Sequence, residues 1–217
     1  PFGNYINYLN LSNTMSIIGS FTQYPRTGLL ERIVKTLRYS HEYNGWINCI
    51  GLRNKGIDYA ITKYKKNPQK FNETCITSIA LLYPNDFDEI CAKIPSDMNI
   101  ELNISCPNVN VNVNADKLKQ FINPQRNWCI IKVSPLIDMK LIDLYYNVGF
   151  RQFHCCNTFP IYDKKTNEYI GGLSGKYLRP YTSYLTHKIK NKYLDTIVIS
   201  GGGVQTENYA QLYYNFD

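Results

Sequence analysis

Two hydrophobic patterns alternate along the chain, one typical of strands and the other typical of helices. Short apolar or alternating runs predict seven buried strands, at residues 15–22, 46–52, 75–82, 99–104, 129–133, 152–156 and 196–200. Segments with helical spacing and capping signals predict six helices, at residues 58–66, 85–93, 115–121, 139–147, 181–190 and 206–214. Because strands and helices alternate, we expect repeated βα units and a parallel sheet, open or closed.

The length and the continuity of this pattern indicate a single domain. The chain has 217 residues, which is enough to bury a sizeable core, and no low-complexity linker interrupts the series of elements. We therefore expect one α/β domain over residues 1–217. A complete eight-stranded βα barrel typically needs about 250 residues, so the chain is slightly short for one.

The composition narrows the class of protein. No run of about 18 apolar residues predicts a membrane span, and no secretory signal pattern is present. The seven cysteines lack Cys-x-x-Cys spacing, which indicates reduced thiols in a cytoplasmic protein and no metal site. A net charge of +7 is compatible with nucleic acid or anionic cofactors. The basic residues are scattered, however, apart from short runs such as residues 63–66, which are typical of a solvated helix end.

One predicted strand ends in the strongest candidate for a reactive group. Apolar and polar residues alternate over residues 100–105, as in a buried strand, and Pro107 stops the strand because it has no amide hydrogen. Asn103, Cys106 and Asn108 should therefore cluster at the C-terminal end of this strand. A thiol beside two carboxamides suits a site that takes a proton and holds a planar polar ligand. A structural cysteine in a capped turn is the alternative interpretation.

Polar groups also mark the C-terminal ends of other predicted strands. Asn48 lies in the second strand, Lys132 lies in the fifth, and Asn157 and Thr158 follow the sixth. In a βα barrel, functional groups sit just past these ends, so we expect the residues to share a site. Lys132 stands among apolar neighbours, and its charge therefore needs a partner, either a carboxylate of the core or an anionic ligand.

Two glycine-rich segments resemble the phosphate-binding loops of a barrel. Gly201, Gly202 and Gly203 stand between a strand and a predicted helix, where backbone amides can approach a phosphate. Residues 171–175, with the sequence Gly-Gly-Leu-Ser-Gly, predict a second such loop. Simple tight turns are the alternative interpretation of both segments.

Seven segments, taken in order, resemble motifs of the dihydroorotate dehydrogenase family, the FMN enzymes of pyrimidine synthesis. They are residues 19–26, 48–56, 103–108, 131–135, 157–158, 171–175 and 200–204. The most specific are Asn-Ile-Ser-Cys-Pro-Asn at residues 103–108 and Gly-Gly-Leu-Ser-Gly at residues 171–175. The resemblance implies an FMN-binding TIM (β/α)8 barrel. It also implies an oxidoreductase that acts on a CH–CH group and converts dihydroorotate to orotate in UMP biosynthesis.

The resemblance further implies roles for individual residues. Cys106 would be the catalytic base, and a cysteine there marks the soluble class 1 branch, whereas class 2 carries serine. Dihydroorotate would be held by Asn48, Gly51, Leu52, Asn103, Asn108, Asn157 and Thr158. FMN would be held by Ser20, Asn103, Lys132, Ser174, Gly175, Gly202 and Gly203.

The mechanism that the resemblance implies begins with the Cys106 thiolate, which takes a proton from C5 of dihydroorotate while C6 gives a hydride to FMN. A fixed cation such as Lys132 would stabilise the negative charge of reduced FMN. Because a free thiol has a pKa of about 8.5, we expect the activity to rise toward alkaline pH.

The chain departs from the family pattern at two points. Gly19 stands where the family usually has a lysine near the flavin, which removes one cation. The sequence also lacks counterparts of the family's first and last barrel strands, so we expect a barrel that is incomplete at both ends.

Sequence alone leaves other functions open. A tRNA-dihydrouridine synthase has a related cysteine motif and would suit the positive charge. A dihydropyrimidine dehydrogenase-like reductase and a degenerate, non-catalytic homologue are further alternatives. The amide-rich ligand set and residues 171–175 favour dihydroorotate. As partners we expect this substrate and its product, with a homodimer or an iron–sulfur partner subunit, and neither a membrane nor nucleic acid.

Overall fold

Strands and helices alternate in the computed structural model, which describes residues 15–105 and 115–204. In chain order, its strands are β1 (Ser16–Phe21), β2 (Arg38–Ser40), β3 (Gly45–Asn48), β4 (Cys75–Ala80), β5 (Ile100–Asn103), β6 (Cys129–Val133), β7 (Gln152–Cys155), β8 (Phe159–Tyr162), β9 (Tyr169–Gly175) and β10 (Ile197–Ser200). Its α-helices are α1 (Leu29–Thr36), α2 (Ile57–Lys66), α3 (Pro68–Thr74), α4 (Asp86–Lys93), α5 (Ala115–Leu118), α6 (Met139–Asn147) and α7 (Arg179–Lys192). Short 3-10 turns follow α5, at Lys119–Phe121, and precede α7, at Lys176–Leu178.

Six of these strands form a parallel sheet in the order β1-β4-β5-β6-β7-β10. Each neighbouring pair is parallel, with register partners such as Leu102 and Ile131 between β5 and β6. The sheet is built from βα units, because parallel neighbours need a crossover connection. This confirms the expected α/β class with a parallel sheet.

The sheet buries the main hydrophobic core against the helices. All six residues of β4 and all four residues of β5 are buried, as expected for central strands of a parallel sheet. The apolar faces of α2, α4, α6 and α7 join the strands in one cluster, through residues such as Ile57, Phe87, Ile142 and Leu185. The core therefore fixes the positions of the strand ends that carry the polar groups.

Local sequence signals explain where two helices begin. The side chain of Asp138 accepts a hydrogen bond from the Lys140 amide at 2.9 Å, which caps α6. The side chain of Asn67 accepts one from the Lys70 amide at 3.1 Å, and Pro68 occupies the first turn of α3. Both arrangements satisfy backbone amides that have no partner inside the helix.

A second, smaller sheet contains four antiparallel strands in the order β2-β3-β9-β8. Its own core consists of Ile47, Ile161 and Leu173. Two sequence predictions are wrong here. The strand predicted at residues 46–52 is not part of the parallel sheet, because it forms β3 and ends at Asn48. The glycine-rich segment at residues 171–175 is not a loop, because it belongs to strand β9.

The other predicted elements agree with the structure to within a few residues, and α1, α3, β2 and β8 were not predicted. The helix predicted at residues 206–214 lies outside the described residues. In the two described ranges, helix length and apolarity fall short of what a membrane span requires.

Candidate active site

A buried row of hydrogen bonds crosses the parallel sheet from β1 to β5. The Ser20 hydroxyl lies 2.8 Å from the Ser78 hydroxyl. Ser78 in turn donates to Glu101 Oε1 at 2.7 Å. The three residues belong to β1, β4 and β5, which are successive strands of the sheet. The row therefore connects a residue predicted to hold FMN with a carboxylate in the interior.

Glu101 is fully buried and has three polar partners. Besides Ser78, His154 Nδ1 lies 2.6 Å from Oε2 and Lys132 Nζ lies 3.9 Å from Oε1. Burial alone would raise the pKa of Glu101, but the hydrogen bond from His154 and the charge of Lys132 outweigh it and lower the pKa below its usual value. An ionised carboxylate only accepts hydrogen bonds, so Nδ1 carries the proton.

Lys132 thus has a core carboxylate as its partner, which is one of the two possibilities left open by the sequence. The distance of 3.9 Å is longer than the 2.7–2.9 Å typical of a charge-assisted hydrogen bond. The Lys132 side chain also keeps 21% of its surface exposed and lines a cavity. The Lys132 ammonium is therefore attracted to the Glu101 carboxylate but does not form a close ion pair with it.

A second set of hydrogen bonds ties the predicted substrate residues together. Asn103 donates from Nδ2 to Ser20 Oγ at 2.9 Å, and Asn157 donates from Nδ2 to Asn103 Oδ1 at 2.9 Å. Asn157 Nδ2 also lies 3.1 Å from Ser105 Oγ. Ser105 in turn donates to the Lys132 carbonyl at 3.2 Å. The structure therefore brings Ser20, Asn103, Asn157 and Lys132 into one polar cluster.

Lys132 and Asn157 of this cluster line a cavity of about 500 Å³ at the C-terminal ends of β6, β7 and β10. This volume lies within the range of ligand pockets. The lining residues are Lys132, His154, Cys156, Asn157, Thr158, Ser174, Gly175, Lys176, Leu178, Gly201, Gly202, Gly203 and Val204. Seven of them were predicted from the sequence as site residues.

Glycines bring backbone segments close together at one corner of the cavity. A Cβ atom on Gly203 would lie 2.9 Å from the Arg179 amide nitrogen and 3.1 Å from the Gly175 carbonyl oxygen. Helix α7 begins at the same Arg179. Residues 171–175 belong to strand β9 and are not a loop, but the last two residues of this strand, Ser174 and Gly175, still line the cavity. A helix N-terminus beside closely approaching glycine backbone fits a phosphate group.

The remaining predicted substrate residues lie at two places. Thr158 lines the cavity, and its amide donates to Asn157 Oδ1 at 2.9 Å. Asn48 is the last residue of β3, and its Nδ2 donates to the Gly172 carbonyl on the neighbouring strand β9 at 3.3 Å. Gly51 accepts a hydrogen bond from Arg26 Nε at 3.1 Å, and Leu52 has a positive φ of 55°. Asn48, Gly51 and Leu52 are thus not among the residues that line the cavity.

Cys106 and Asn108 lie outside the described residues, so the catalytic base and one predicted substrate residue remain predictions. The strand that leads to them, β5, is described up to Asn103 and the chain up to Ser105. Both Asn103 and Ser105 contact Asn157.

Three residues of the buried hydrogen-bonded row were not predicted from the sequence: Ser78, Glu101 and His154. Two of them carried a sequence signal, because Glu101 stands two residues before Asn103 on one predicted strand and His154 stands two residues before Cys156 on another. Side chains two residues apart point to the same face of a sheet. Polar residues at these spacings therefore marked a polar face inside the sheet.

The chain matches a family model described as Dihydroorotate dehydrogenase over residues 3–211. Its relatives include the dihydroorotate dehydrogenase B (NAD(+)) catalytic subunits of Bacillus cereus (strain G9842), Bacillus cytotoxicus and Bacillus mycoides. Each is 27% identical to the chain over 233 residues. The aligned regions cover 97% of this chain and 74% of each relative.

Proposed function

The chain belongs to the dihydroorotate dehydrogenase family, and we propose that it oxidises dihydroorotate to orotate with FMN bound in the cavity beside Lys132. The reaction removes hydrogen from a CH–CH group in pyrimidine biosynthesis. The single observation that supports this best is the polar cluster of Ser20, Asn103, Asn157 and Lys132. We also propose that the six parallel strands form the wall of a TIM barrel.

The residues in and beside the cavity fit FMN. The backbone corner at Gly175, Gly202 and Gly203, beside the start of α7, suits the phosphate. Lys132 and Ser174 both line the cavity. Lys132 would supply a fixed cation for the planar ring system. Ser20 and Asn103, which are linked to the cavity residue Asn157 by hydrogen bonds, would supply further hydrogen-bonding groups. When bound, FMN would accept the hydride that the substrate loses.

The chain's own residues would hold the substrate and remove its proton. Asn103 and Asn157 offer amide donors and acceptors, which match the imide and carboxylate edges of dihydroorotate. Thr158 extends this wall, and Asn48, Gly51, Leu52 and Asn108 complete the proposed substrate set. Cys106 would act as the base that takes a proton from C5. A thiolate is needed for this step, so the activity should rise toward alkaline pH.

The names of the relatives support a proposal for the electron acceptor. They are catalytic subunits of NAD(+) enzymes, which supports NAD⁺ as the terminal acceptor and a partner subunit that passes electrons to it. Among the described residues, no group of cysteine, histidine and carboxylate side chains could hold a metal ion.

The test is orotate formation by the FMN-loaded protein and by two cysteine variants. Cys106→Ala removes the proposed base and should lower the rate by about 100-fold or more, the usual contribution of general-base catalysis. Cys91→Ala is the matched control, because Cys91 lies on α4 and its Sγ contacts the Gln120 carbonyl, away from the cavity. Equal activity in wild type and Cys106→Ala would contradict the proposed role of Cys106.

A further inference from the structure

We propose that His154 is a positioning residue for the flavin site. It holds the Glu101 carboxylate and thereby keeps the Lys132 ammonium available to bound FMN. This inference rests on the proposed function, because it assumes that FMN lies beside Lys132. It adds residues Glu101 and His154 to a site that the sequence resemblance described without them.

The first support is the way in which the oxygens of Glu101 are shared. Oε2 lies 2.6 Å from His154 Nδ1 and Oε1 accepts from Ser78 at 2.7 Å, whereas Lys132 Nζ stays 3.9 Å from Oε1. Each oxygen thus has a close donor before Lys132 is considered. Each oxygen can still accept a second hydrogen bond, but these donors already stabilise the carboxylate charge. Lys132 is attracted by that charge and stays at 3.9 Å, without the short contact of a closed ion pair.

The second support is that the imidazole of His154 has little room to move. His154 and Lys132 are register partners on the adjacent strands β7 and β6. A Cβ atom on Gly201 would lie 2.6 Å from His154 Nε2, so the backbone at the end of β10 closes over the ring. The His154 side chain is 13% exposed. The ring is therefore fixed between Glu101 and Gly201, which makes it a rigid donor.

The third support is the charge balance at the cavity. Glu101 is fully buried, whereas Lys132 and His154 both line the cavity. Charges in such a site interact more strongly than they would in water. Without the histidine donor, the Glu101 carboxylate would draw the Lys132 ammonium into a closed ion pair. The positive field of Lys132 in the cavity would then be weaker. Without the carboxylate, the full charge of Lys132 would face the cavity.

The two changes therefore predict opposite shifts in the two-electron midpoint potential of bound FMN. Glu101→Gln keeps the shape of the side chain, unmasks Lys132 and should favour reduced FMN by about tenfold, or about 30 mV upward. His154→Leu should disfavour reduced FMN by about tenfold, or about 30 mV downward. A purely structural role would not move the potential in opposite directions.

Two further variants keep the test decisive if His154→Leu folds poorly. His154→Asn places an amide where Nδ1 stands and should restore a potential close to that of wild type. Ser78→Ala removes the donor to Oε1 and should shift the potential downward by a smaller factor, about threefold. The potentials are measured by anaerobic spectroelectrochemistry on the FMN-loaded protein.

The outcomes separate this inference from the proposed function. Opposite shifts in Glu101→Gln and His154→Leu, with recovery in His154→Asn, support it. Unchanged potentials, or shifts of the same sign in both variants, overturn it while leaving the proposed function intact. A wild-type protein that binds no FMN overturns the proposed function, and the inference falls with it.

Discussion

Glu101 shows how one buried residue links stability to the chemistry of the site. Its carboxylate has no exposed surface, yet its pKa is lowered because His154, Lys132 and Ser78 stabilise the charged form more than burial opposes it. A single uncompensated charge at this depth would be costly. The same partners that make the charge tolerable also determine how much of the Lys132 charge reaches the cavity.

The lowered pKa of Glu101 predicts a specific loss of stability in acid. A carboxyl group with a pKa below its ordinary value of 4.5 stabilises the folded state above that pH. The contribution disappears as the pH falls through the pKa of the folded state. The difference in free energy of unfolding between wild type and Glu101→Gln should therefore shrink as the pH is lowered from about 6 to about 3. Urea unfolding across this range measures it, and a difference independent of pH would be inconsistent with an ionised Glu101.

The family resemblance suggests a lysine at the position of Gly19, and the backbone of Gly19 shows that a lysine would not fit here. Its φ is 115°, and an added Cβ atom would lie 2.5 Å from the Ser78 carbonyl oxygen. Gly19→Lys should therefore lower the free energy of unfolding by about 1–3 kcal/mol. Met15→Lys, at an exposed position just before the same strand, is the control and should be close to neutral. A Gly19→Lys protein as stable as wild type would show that the position tolerates a side chain.

At the scale of elements, the parallel strands were predicted well and the small antiparallel sheet was not. Strands such as β5 and β6 carry local apolar patterns that indicate burial from sequence alone. Strand β9 is rich in glycine, which favours a loop prediction. It is a strand because β3 and β8 pair with it on both sides. A Cβ atom on Gly171 would lie 2.7 Å from the Asn48 carbonyl oxygen, so its glycine permits close pairing, which only the fold reveals.

The candidate site, too, could be predicted only where local sequence patterns indicate it. Asn103, Lys132 and Asn157 could be predicted because they stand at the ends of recognisable strands and match family motifs. The pairing of Glu101 with His154 could not be predicted, because it depends on how β5 and β7 are placed on either side of β6. The partner of Lys132 was undecided in the sequence for the same reason.

The contact between β7 and the end of β10 gives a prediction at this scale. Gly201→Ala would place a methyl group 2.6 Å from His154 Nε2, and the ring is held by Glu101. The substitution should lower the free energy of unfolding by about 1–3 kcal/mol, the usual cost of overpacking. In the double variant with His154→Ala, part of that cost should disappear, with a coupling of about 0.5 kcal/mol or more. Strictly additive effects in urea unfolding would contradict this contact.

For the whole molecule, the two sheets should differ in local stability. The parallel sheet shares one large core with helices α2 to α7, whereas the described core of the small sheet consists of Ile47, Ile161 and Leu173. Regions with few buried apolar contacts open at lower free energy. Amides of β5 and β6 should therefore exchange with deuterium more slowly than amides of β2, β3 and β8, as measured by mass spectrometry. Faster exchange in the central strands would contradict this division of the core.

The most direct test of the proposed function is an anaerobic mixture of the FMN-loaded wild-type protein with dihydroorotate, followed by the absorbance of oxidised flavin. We expect rapid bleaching with dihydroorotate, because the polar cluster would hold the substrate against FMN beside Lys132. RNA that contains dihydrouridine should leave the flavin oxidised. A protein that binds FMN and stays yellow with dihydroorotate, or that is bleached by the RNA instead, would contradict the central claim.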